Sequence, residues 1–436
     1  MSFRTKASIA ALLAFALISA EPLCAQAPSQ PPAQSPAQAT APDDDVSSLR
    51  QRAAAGDAQA QFELANDYFQ GRFTTLNYPQ AMALYRQSAD QGYAPAQNQL
   101  ATIYQHGFGM VRNFKLALSY FRKAADQGYA LAQFNLGVMY QSGNYGVKRD
   151  YKQSFDWYRK AADQNLPQAE EEVGYFYQCG FGVKRDFAQA LVWYRRSADH
   201  GNSNAENQLG YMAEQGWGEP QDLTQALSWY YKAADHGNDA AQENLGYMFQ
   251  NGSGVNRDFA KAQAWLYKAA AQGNSDAENQ LGWMYQFGQG VQQDDGRAVA
   301  WYSLSADQGN PHGQNNYQAF KEDLEERGEW ESLRSPADDP ALEQAQRRVR
   351  ILDLRARIDG LAADALKQDS VIYDLEHMGK GKKDAISKVM DALGTTVAVS
   401  PGLQAQKDRA EAESLRAQLA QLESQQNQFA STAPTP

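Results

Sequence analysis

The residues most able to do chemistry, cysteine and histidine, do not form a catalytic pattern. Cys179 has no histidine or acidic residue at an informative spacing, and it is the only cysteine left if Cys24 is removed with an N-terminal leader. A nucleophilic cysteine needs a base or a neighbour that lowers its pKa, so we interpret Cys179 as a tolerated residue and expect no intramolecular disulfide. The chain also lacks a Gly-x-Ser-x-Gly elbow and a His-Glu-x-x-His helix. The sequence therefore predicts neither an enzyme nor a bound cofactor.

Two further patterns resemble ligand sites but have the wrong geometry. His200 and His236 share one register, 36 residues apart. Metal ligands lie about 2.0–2.1 Å from one ion, whereas packed helices lie about 8–10 Å apart. The segment Gly379–Lys383 reads Gly-Lys-Gly-Lys-Lys, but a phosphate-binding loop needs Gly-x-x-x-x-Gly-Lys-Ser/Thr after a strand. We predict no metal site, and a solvated basic turn that has only a modest chance of touching an anionic polymer.

Aromatic residues at a recurring loop position are the best candidates for partner binding. They accompany the loop glycines of four successive repeats, at Phe108, Tyr145, Phe181 and Trp217. Aromatic residues are enriched as binding anchors, and a glycine pair can hold such a side chain out at a turn. The alternative is that each ring packs back onto its own helix pair. For Trp217, inward packing would fill the space left by Ala213, where the other repeats carry Tyr or Phe.

These candidates belong to a chain that repeats itself about every 36 residues. A small residue ends the second apolar run of each unit and marks the phase, at Gly56, Gly92, Gly128, Asn165, Gly201, Gly237, Gly273 and Gly309. All successive spacings are 36 residues except one of 37, where a single residue is inserted in a loop. Such a period is the signature of a solenoid, and the sequence predicts seven full units.

Each unit is interpreted as a pair of helices. Apolar and small residues recur three and four positions apart, which places them on one helix face. Aspartates precede the second helix as N-caps, at Asp150, Asp186, Asp222, Asp258 and Asp294. Glycine also recurs inside the first helix of five successive units, at Gly137, Gly174, Gly210, Gly246 and Gly282. Because each costs about 0.5–1 kcal/mol relative to alanine, we expect two backbones to approach closely there.

The repeated unit resembles a known family. From Ala169 to Gly201 the chain follows Ala-x-x-x-Val-Gly-x-x-Tyr-x-x-Gly-x-Gly-Val-x-x-Asp-x-x-x-Ala-x-x-Trp-Tyr, with a small-residue stop after it. This pattern is similar to the Sel-one-like repeat, a relative of the tetratricopeptide repeat, over about Gly56 to Pro311. The resemblance implies an all-α, right-handed superhelix that holds other proteins together and has no catalytic residues. The fifth unit departs most, with Ala213 and Glu219-Pro220.

The N-terminal residues predict export. Arg4 and Lys6 precede an apolar run that is too short for a comfortable membrane span, and small residues offer cleavage after Ala20 or Ala25. We interpret residues 1–25 as a signal peptide and residues 26–46, rich in Pro, Ala and Gln, as a disordered linker. No other apolar run is long enough to cross a bilayer, so we expect a periplasmic or secreted mature protein.

The composition changes after residue 334, where the predicted solenoid of residues 47–334 ends. Two heptad seams, beginning at Ile351 and Ala412, lie in residues 335–430, and a disordered tail of residues 431–436 follows. The seams favour two long helices paired as an antiparallel coiled-coil hairpin. Self-association through these helices, or packing on the last repeat, is the alternative.

The net charge of −11 lies upstream of residue 341, because acidic and basic residues balance beyond it. An acidic solenoid disfavours nucleic acid and offers one extended surface to a partner. The leading hypothesis is a non-enzymatic scaffold or regulator in the bacterial cell envelope, bound to another envelope protein. A polysaccharide-handling or secretion-complex subunit would share the fold. A cell-wall or β-lactam hydrolase would need an acid, base or nucleophile that we do not find.

Overall fold

The computed structural model describes the repeat region and short pieces beyond it. The described residues are 43–71, 77–107, 112–143 and 146–333, with 342, 343, 346–348, 350, 410, 411 and 414–424. The predicted signal peptide and tail lie outside them, as do most of the linker and of the C-terminal hairpin. Helix α1 (Asp43–Ala54) begins within the last residues of the predicted linker.

Seven helix pairs follow α1. The first helices of the units are α2 (Ala58–Gln70), α4 (Ala94–His106), α6 (Ala130–Ser142), α8 (Pro167–Cys179), α10 (Ser203–Gln215), α12 (Asp239–Asn251) and α14 (Ser275–Phe287). The second helices are α3 (Tyr78–Asp90), α5 (Phe114–Asp126), α7 (Tyr151–Ala162), α9 (Phe187–Asp199), α11 (Leu223–Asp235), α13 (Phe259–Gln272) and α15 (Asp295–Asp307). Helix α16 (Pro311–Glu326) and a 3₁₀ turn (Trp330–Ser332) close the series. The predicted all-α solenoid of seven units is confirmed, and the described residues contain no strand.

The helix ends are fixed by local sequence. All five predicted aspartates are N-caps, and each accepts a hydrogen bond from a backbone N–H two or three residues on. The phase-marking residues adopt positive φ after the second helices, which suits glycine. Asn165 does so as well, with φ of 62°, in the one unit that lacks the glycine. Asparagine tolerates this conformation better than most residues, which explains the exception.

The interior glycines make room for a side chain rather than for a second backbone. A Cβ atom built on Gly210 would lie 2.6 Å from Cδ1 of Tyr230, in the second helix of the same unit. Gly137, Gly174 and Gly282 face a tyrosine ring in the same way, whereas Gly246 faces Leu266. The expectation of backbone-to-backbone contact was therefore wrong, because the repeated close neighbour is an aromatic ring lying flat on the helix.

Polar side chains tie the two helices of a pair to each other. At the end of a second helix, a glutamine amide donates to a glutamine in the first helix of the same pair, as from Gln127 to Gln97 at 2.8 Å. The same bond recurs from Gln91 to Gln61, Gln164 to Gln133, and Gln272 to Gln242. We call this bond the inter-helix clamp. It joins residues about 30 positions apart, so it lies within one helix pair.

The C-terminal pieces contact the last unit. Leu342 is buried in the same apolar cluster as Leu281 and Trp301, and Arg348 lies 3.5 Å from the carboxylate of Glu278. Residues 351–409 are outside the described part, so the coiled-coil hairpin and its self-association stay predictions. No described helix has both the length and the apolar character needed to cross a bilayer.

Candidate partner-binding surface

The loop aromatics that the sequence singled out are packed where the structure describes them. Phe108 and Tyr145 lie outside the described residues. The ring of Phe181 stacks on Tyr151 of the preceding unit at 4.6 Å between centroids, and meets Tyr175 edge-on at 5.9 Å. A Cβ atom on Gly182 would lie 2.5 Å from the carbonyl oxygen of Tyr151, so the glycine lets the loop lie against that helix. Phe181 is therefore half-buried between two units.

Trp217 is held in the same way. Its indole stacks on Phe187 of the preceding unit at 5.1 Å and meets Tyr211 edge-on at 5.3 Å. It packs against a different apolar cluster from the one that contains Ala213. Trp217 thus neither fills the space at Ala213 nor projects freely. It fastens its loop to the preceding unit, and part of its surface stays accessible.

The residues that the two loop rings touch reveal a second aromatic row, which the sequence analysis missed. One register of the first helices carries Tyr175, Tyr211, Tyr247 and Trp283 in four successive units, and all four are partly exposed. The row could have been found by aligning the units at 36 residues, because aromatic residues recur at that register. We call the surface formed by this row and the polar side chains one helical turn before it the first-helix face.

Asparagine pairs join neighbouring first helices across this face. Asn135 donates to Asn98 at 3.0 Å, Asn244 to Asn207 at 2.9 Å, and Asn316 to Asn279 at 2.8 Å. The accepting residue stands four positions before the row in its helix, so it lies on the same side. These bonds form the rungs of a ladder that runs from unit to unit.

Two rungs of the ladder are different. Glu171 and Glu243 take the register of the accepting asparagines, and Gln208 and Gln280 take the register of the donors. The Oε1 atoms of both glutamines are buried and have no hydrogen-bond partner among the described residues. We call these two positions, Glu171 with Gln208 and Glu243 with Gln280, the open rungs, because acceptor oxygen atoms collect there. Each is followed in the next unit by a hydrogen-bonded asparagine pair.

The environment of the open rungs disfavours negative charge. Burial raises the pKa of Glu171 to about 7, despite hydrogen bonds from the amides of Asn202 and Asn204. Burial, together with the carboxylates of Asp276, Asp239 and Glu214, raises the pKa of Glu243 to about 8. Burial also raises the pKa of Glu214, against a hydrogen bond from Tyr230. This part of the surface is thus rich in carboxyl groups and poor in donors.

A second set of buried glutamates is neutralised within the fold. Glu170 and Glu206 replace the accepting glutamine of the inter-helix clamp, and His200 and His236 replace the donating glutamine. In both units, Nδ1 of the histidine lies 2.8 Å from the carboxylate of the glutamate. Arg196 and Lys232 add a cation to each site, at 2.6 and 3.1 Å. The two histidines thus serve separate ion-pair clusters in successive units, and the described residues contain no group suited to hold a metal ion.

Cys179 is disulfide-bonded in the structure, which corrects the expectation that it has no disulfide partner. That expectation depended on the removal of Cys24, which lies outside the described residues. Cys179 ends helix α8 next to Gly180. Its sulfur is therefore covalently committed and supplies no nucleophile to the surface.

Comparisons with known proteins agree with this geometry. The Sel1 repeat matches seven times in succession, at residues 58–93, 94–129, 130–166, 167–202, 203–238, 239–274 and 275–310. Among curated proteins, none matches the chain. Solved structures are similar to it as well, among them the following two.

The first is c5321, described as a protective antigen of uropathogenic Escherichia coli with an SLR fold. It is 27% identical, with 90% of this chain and 98% of that chain covered and a TM-score of 0.55. The second is a Sel1 repeat protein from Oxalobacter formigenes. It is 35% identical, with 64% of this chain and 80% of that chain covered and a TM-score of 0.52. Sel1 repeats are typically interaction scaffolds without catalytic groups. Seven consecutive matched units and a continuous solenoid show that this chain belongs to the Sel1 repeat family.

Proposed function

We propose that this protein is a non-enzymatic scaffold or regulator of the bacterial cell envelope, which binds a partner protein on the first-helix face. The observation that carries the proposal is the aromatic row Tyr175, Tyr211, Tyr247 and Trp283, which is partly exposed and in register over four units. Tyrosine and tryptophan are favoured binding anchors because they bury a large area at low entropic cost. Phe181 and Trp217 extend the row at its edge, where they touch Tyr175 and Tyr211.

The envelope location is supported by the basic residues, apolar run and small residues at the N-terminus. The E. coli protein with the SLR fold is described as a protective antigen, which is compatible with an envelope role here. In this proposal the partner is another envelope protein, and nucleic acid is not bound because the solenoid is acidic.

A photo-crosslinking amino acid placed at Tyr211 or Tyr247 in living cells tests the proposal. Val192 provides the control, because it lies on a second helix and is 55% exposed. We expect one discrete adduct from the two first-helix positions and none from Val192. Equal adducts at all three positions, or none at Tyr211 and Tyr247, would contradict it.

A polysaccharide-handling or secretion-complex subunit is the second candidate. The same observation favours its polysaccharide form, because aromatic rings beside amides and carboxyl groups can stack on and hydrogen-bond to sugars. A glycan array probed with the purified protein separates the two. Binding to a defined glycan that is lost in Tyr247→Ala would favour the polysaccharide role over the protein scaffold.

A further inference from the structure

The charges of the solenoid are segregated between its two sets of helices. None of the seven first helices contains lysine or arginine. In the last four units these helices carry Glu170, Glu171, Glu172, Glu206, Glu214, Asp239, Glu243, Asp276 and Glu278. Every second helix contains at least one lysine or arginine. The first helices thus contribute carboxyl groups, and no lysine or arginine, to the first-helix face.

The buried carboxylates show which charges the fold compensates. Glu170, Glu206 and Glu278 each have a cation within 3.5 Å, supplied by a second helix or by Arg348. Glu243 has no ion pair or hydrogen bond within the described residues, and its neighbours Asp239, Glu214 and Asp276 are acidic. The buried amide oxygen of Gln280, at the partner register of the same rung, also lacks a donor. Charged donors from a bound partner would satisfy an acceptor cluster of this kind.

From this charge complementarity we infer that the partner presents a basic polypeptide segment to the first-helix face, with arginine or lysine side chains over the open rungs at Glu171 and Glu243. The inference rests on the proposed function and specifies the chemistry of the partner. The aromatic row supports it, because a cation above the face of a tyrosine or tryptophan ring is attracted to the ring. Tyr211 lies between the two open rungs along the row, and Tyr247 lies one turn beyond Glu243.

The spacing of the rungs fixes the spacing of the cations. Glu171 and Glu243 are two units apart, which corresponds to about 16–20 Å at ordinary helix-packing distances. An extended chain advances about 3.3 Å per residue. Two cationic residues about five or six positions apart therefore match the two open rungs, whereas adjacent cationic residues reach only one.

Fluorescence anisotropy with labelled 12-residue peptides of otherwise identical sequence tests the inference. One peptide carries two arginines six positions apart, a second carries them next to each other, and two others carry glutamine or glutamate instead. We expect the spaced arginine peptide to bind best, and Glu171→Gln/Glu243→Gln to weaken it by about tenfold or more. The control is Asp199→Asn/Asp235→Asn, which removes two negative charges from exposed ends of second helices and should change affinity by less than about twofold. Circular dichroism and thermal unfolding confirm that both variants remain folded.

The pH dependence of peptide binding adds an independent readout. Asp239 on the same helix, Glu214 and Tyr230 from the preceding unit, Asp276 from the next and nearby Tyr247 surround Glu243. Because burial and these carboxylates raise the pKa of Glu243 to about 8, a cation that favours its charged form should bind more tightly as the pH rises from 6 to 9. Glu243→Gln should flatten this rise.

Three results would overturn the inference. One is equal binding of arginine and glutamate peptides, and another is an equal loss in both double variants, which would reflect net charge alone. The third is tight binding that does not depend on arginine spacing. If crosslinks from Tyr211 and Tyr247 still identify a partner, the proposed function survives while the basic segment is wrong. If those crosslinks fail, the proposed function fails regardless of the peptides.

Discussion

At the scale of single residues, the buried glutamates differ in how their charge is compensated. Glu170 shares its carboxylate between Arg196 and His200, whereas Glu243 faces other carboxylates. The first carboxylate is paired with groups of the fold, whereas the second lies among carboxylates that penalise its charged form. Substitutions at these positions should therefore affect stability in opposite directions.

Glu243→Gln should stabilise the protein at alkaline pH. The pKa of Glu243 is about 8 in the folded protein, against an ordinary value of 4.5, so between these values the folded state binds more protons than the unfolded state. The free energy of unfolding therefore falls as the pH rises through this window. Because Glu243→Gln removes the carboxylate, it also removes this loss of stability at high pH. We expect a higher melting temperature than wild type at pH 9 and little difference at pH 4, and an equal effect at both would contradict the assignment.

His200→Ala should destabilise the protein more than His200→Gln. Alanine leaves one oxygen of the fully buried Glu170 carboxylate without its donor, at a cost of about 1–3 kcal/mol. Glutamine at the same register already donates to a glutamate in the last unit, from Gln308 to Glu278, so it should retain most of the bond. Urea unfolding of the two variants measures the difference. Equal losses would show that the imidazole ring matters for packing and not for the hydrogen bond.

At the scale of helix pairs, the sixth unit has lost an interaction that its neighbours keep. The hydroxyl groups of Tyr194, Tyr230 and Tyr302 donate to a glutamine or glutamate near the end of the first helix. Leu266 replaces this tyrosine in the sixth unit, and the Oε1 atom of the buried Gln250 has no partner there. The glycine that accommodates the ring, Gly246, is nevertheless present.

Leu266→Tyr should therefore raise the free energy of unfolding, by about 0.5–1.5 kcal/mol for the restored hydrogen bond. Leu266→Phe is the matched control, because it supplies the ring without the hydroxyl. The difference between the two variants isolates the bond to Gln250. If phenylalanine stabilises as much as tyrosine, the gain comes from packing alone.

Gly210→Ala should destabilise the fifth unit even though alanine is the better helix former. The added methyl group would lie 2.6 Å from the ring of Tyr230, and overpacking of this kind costs about 1–3 kcal/mol, more than the propensity gain of about 0.5–1 kcal/mol. Thermal unfolding decides between the two effects. A higher melting temperature would mean that the helices of the pair can separate without penalty.

The helix pairs were predictable from the sequence because their signals are local. Asp186 caps its helix through a backbone N–H three residues away, and Gly201 needs only its own positive φ. The partner of Gly210 was not predictable, since it depends on how two helices rotate against each other. The position of Phe181 depends on its contact with Tyr151 across a unit boundary. The glycine pair indicated a turn there but not the surface on which the turn lies.

At the scale of the whole molecule, the solenoid needs a partner for its last unit. In two other units, a second-helix cation, Arg196 or Lys232, pairs with the buried glutamate. The last unit has Leu304 at that position, and Arg348 supplies the cation to Glu278 instead. Leu342 adds an apolar contact to the same cluster. The C-terminal region thus supplies the cation that the second helix of the last unit lacks.

Arg348→Ala should loosen only that end of the molecule. Each unit contacts mainly its neighbours, so the effect should fade along the solenoid. We expect at least several-fold faster amide exchange in α14 and α15, with no change in α2 to α5, measured by hydrogen exchange with mass spectrometry. Arg350→Ala, an exposed neighbour, is the control. Uniformly faster exchange would instead indicate a single cooperative unit.

The clamp bonds described for the repeats also bear on how such a gene can change. Each of these bonds joins residues about 30 positions apart, and the asparagine rungs join residues 37 positions apart. An in-frame duplication or loss of one 36-residue block therefore leaves each clamp intact within its unit and keeps the register of the rungs at the new junction. The solenoid can lengthen or shorten by whole units without breaking a clamp, provided that the last unit keeps the contact between Glu278 and Arg348. Its length is thus open to selection independently of its fold.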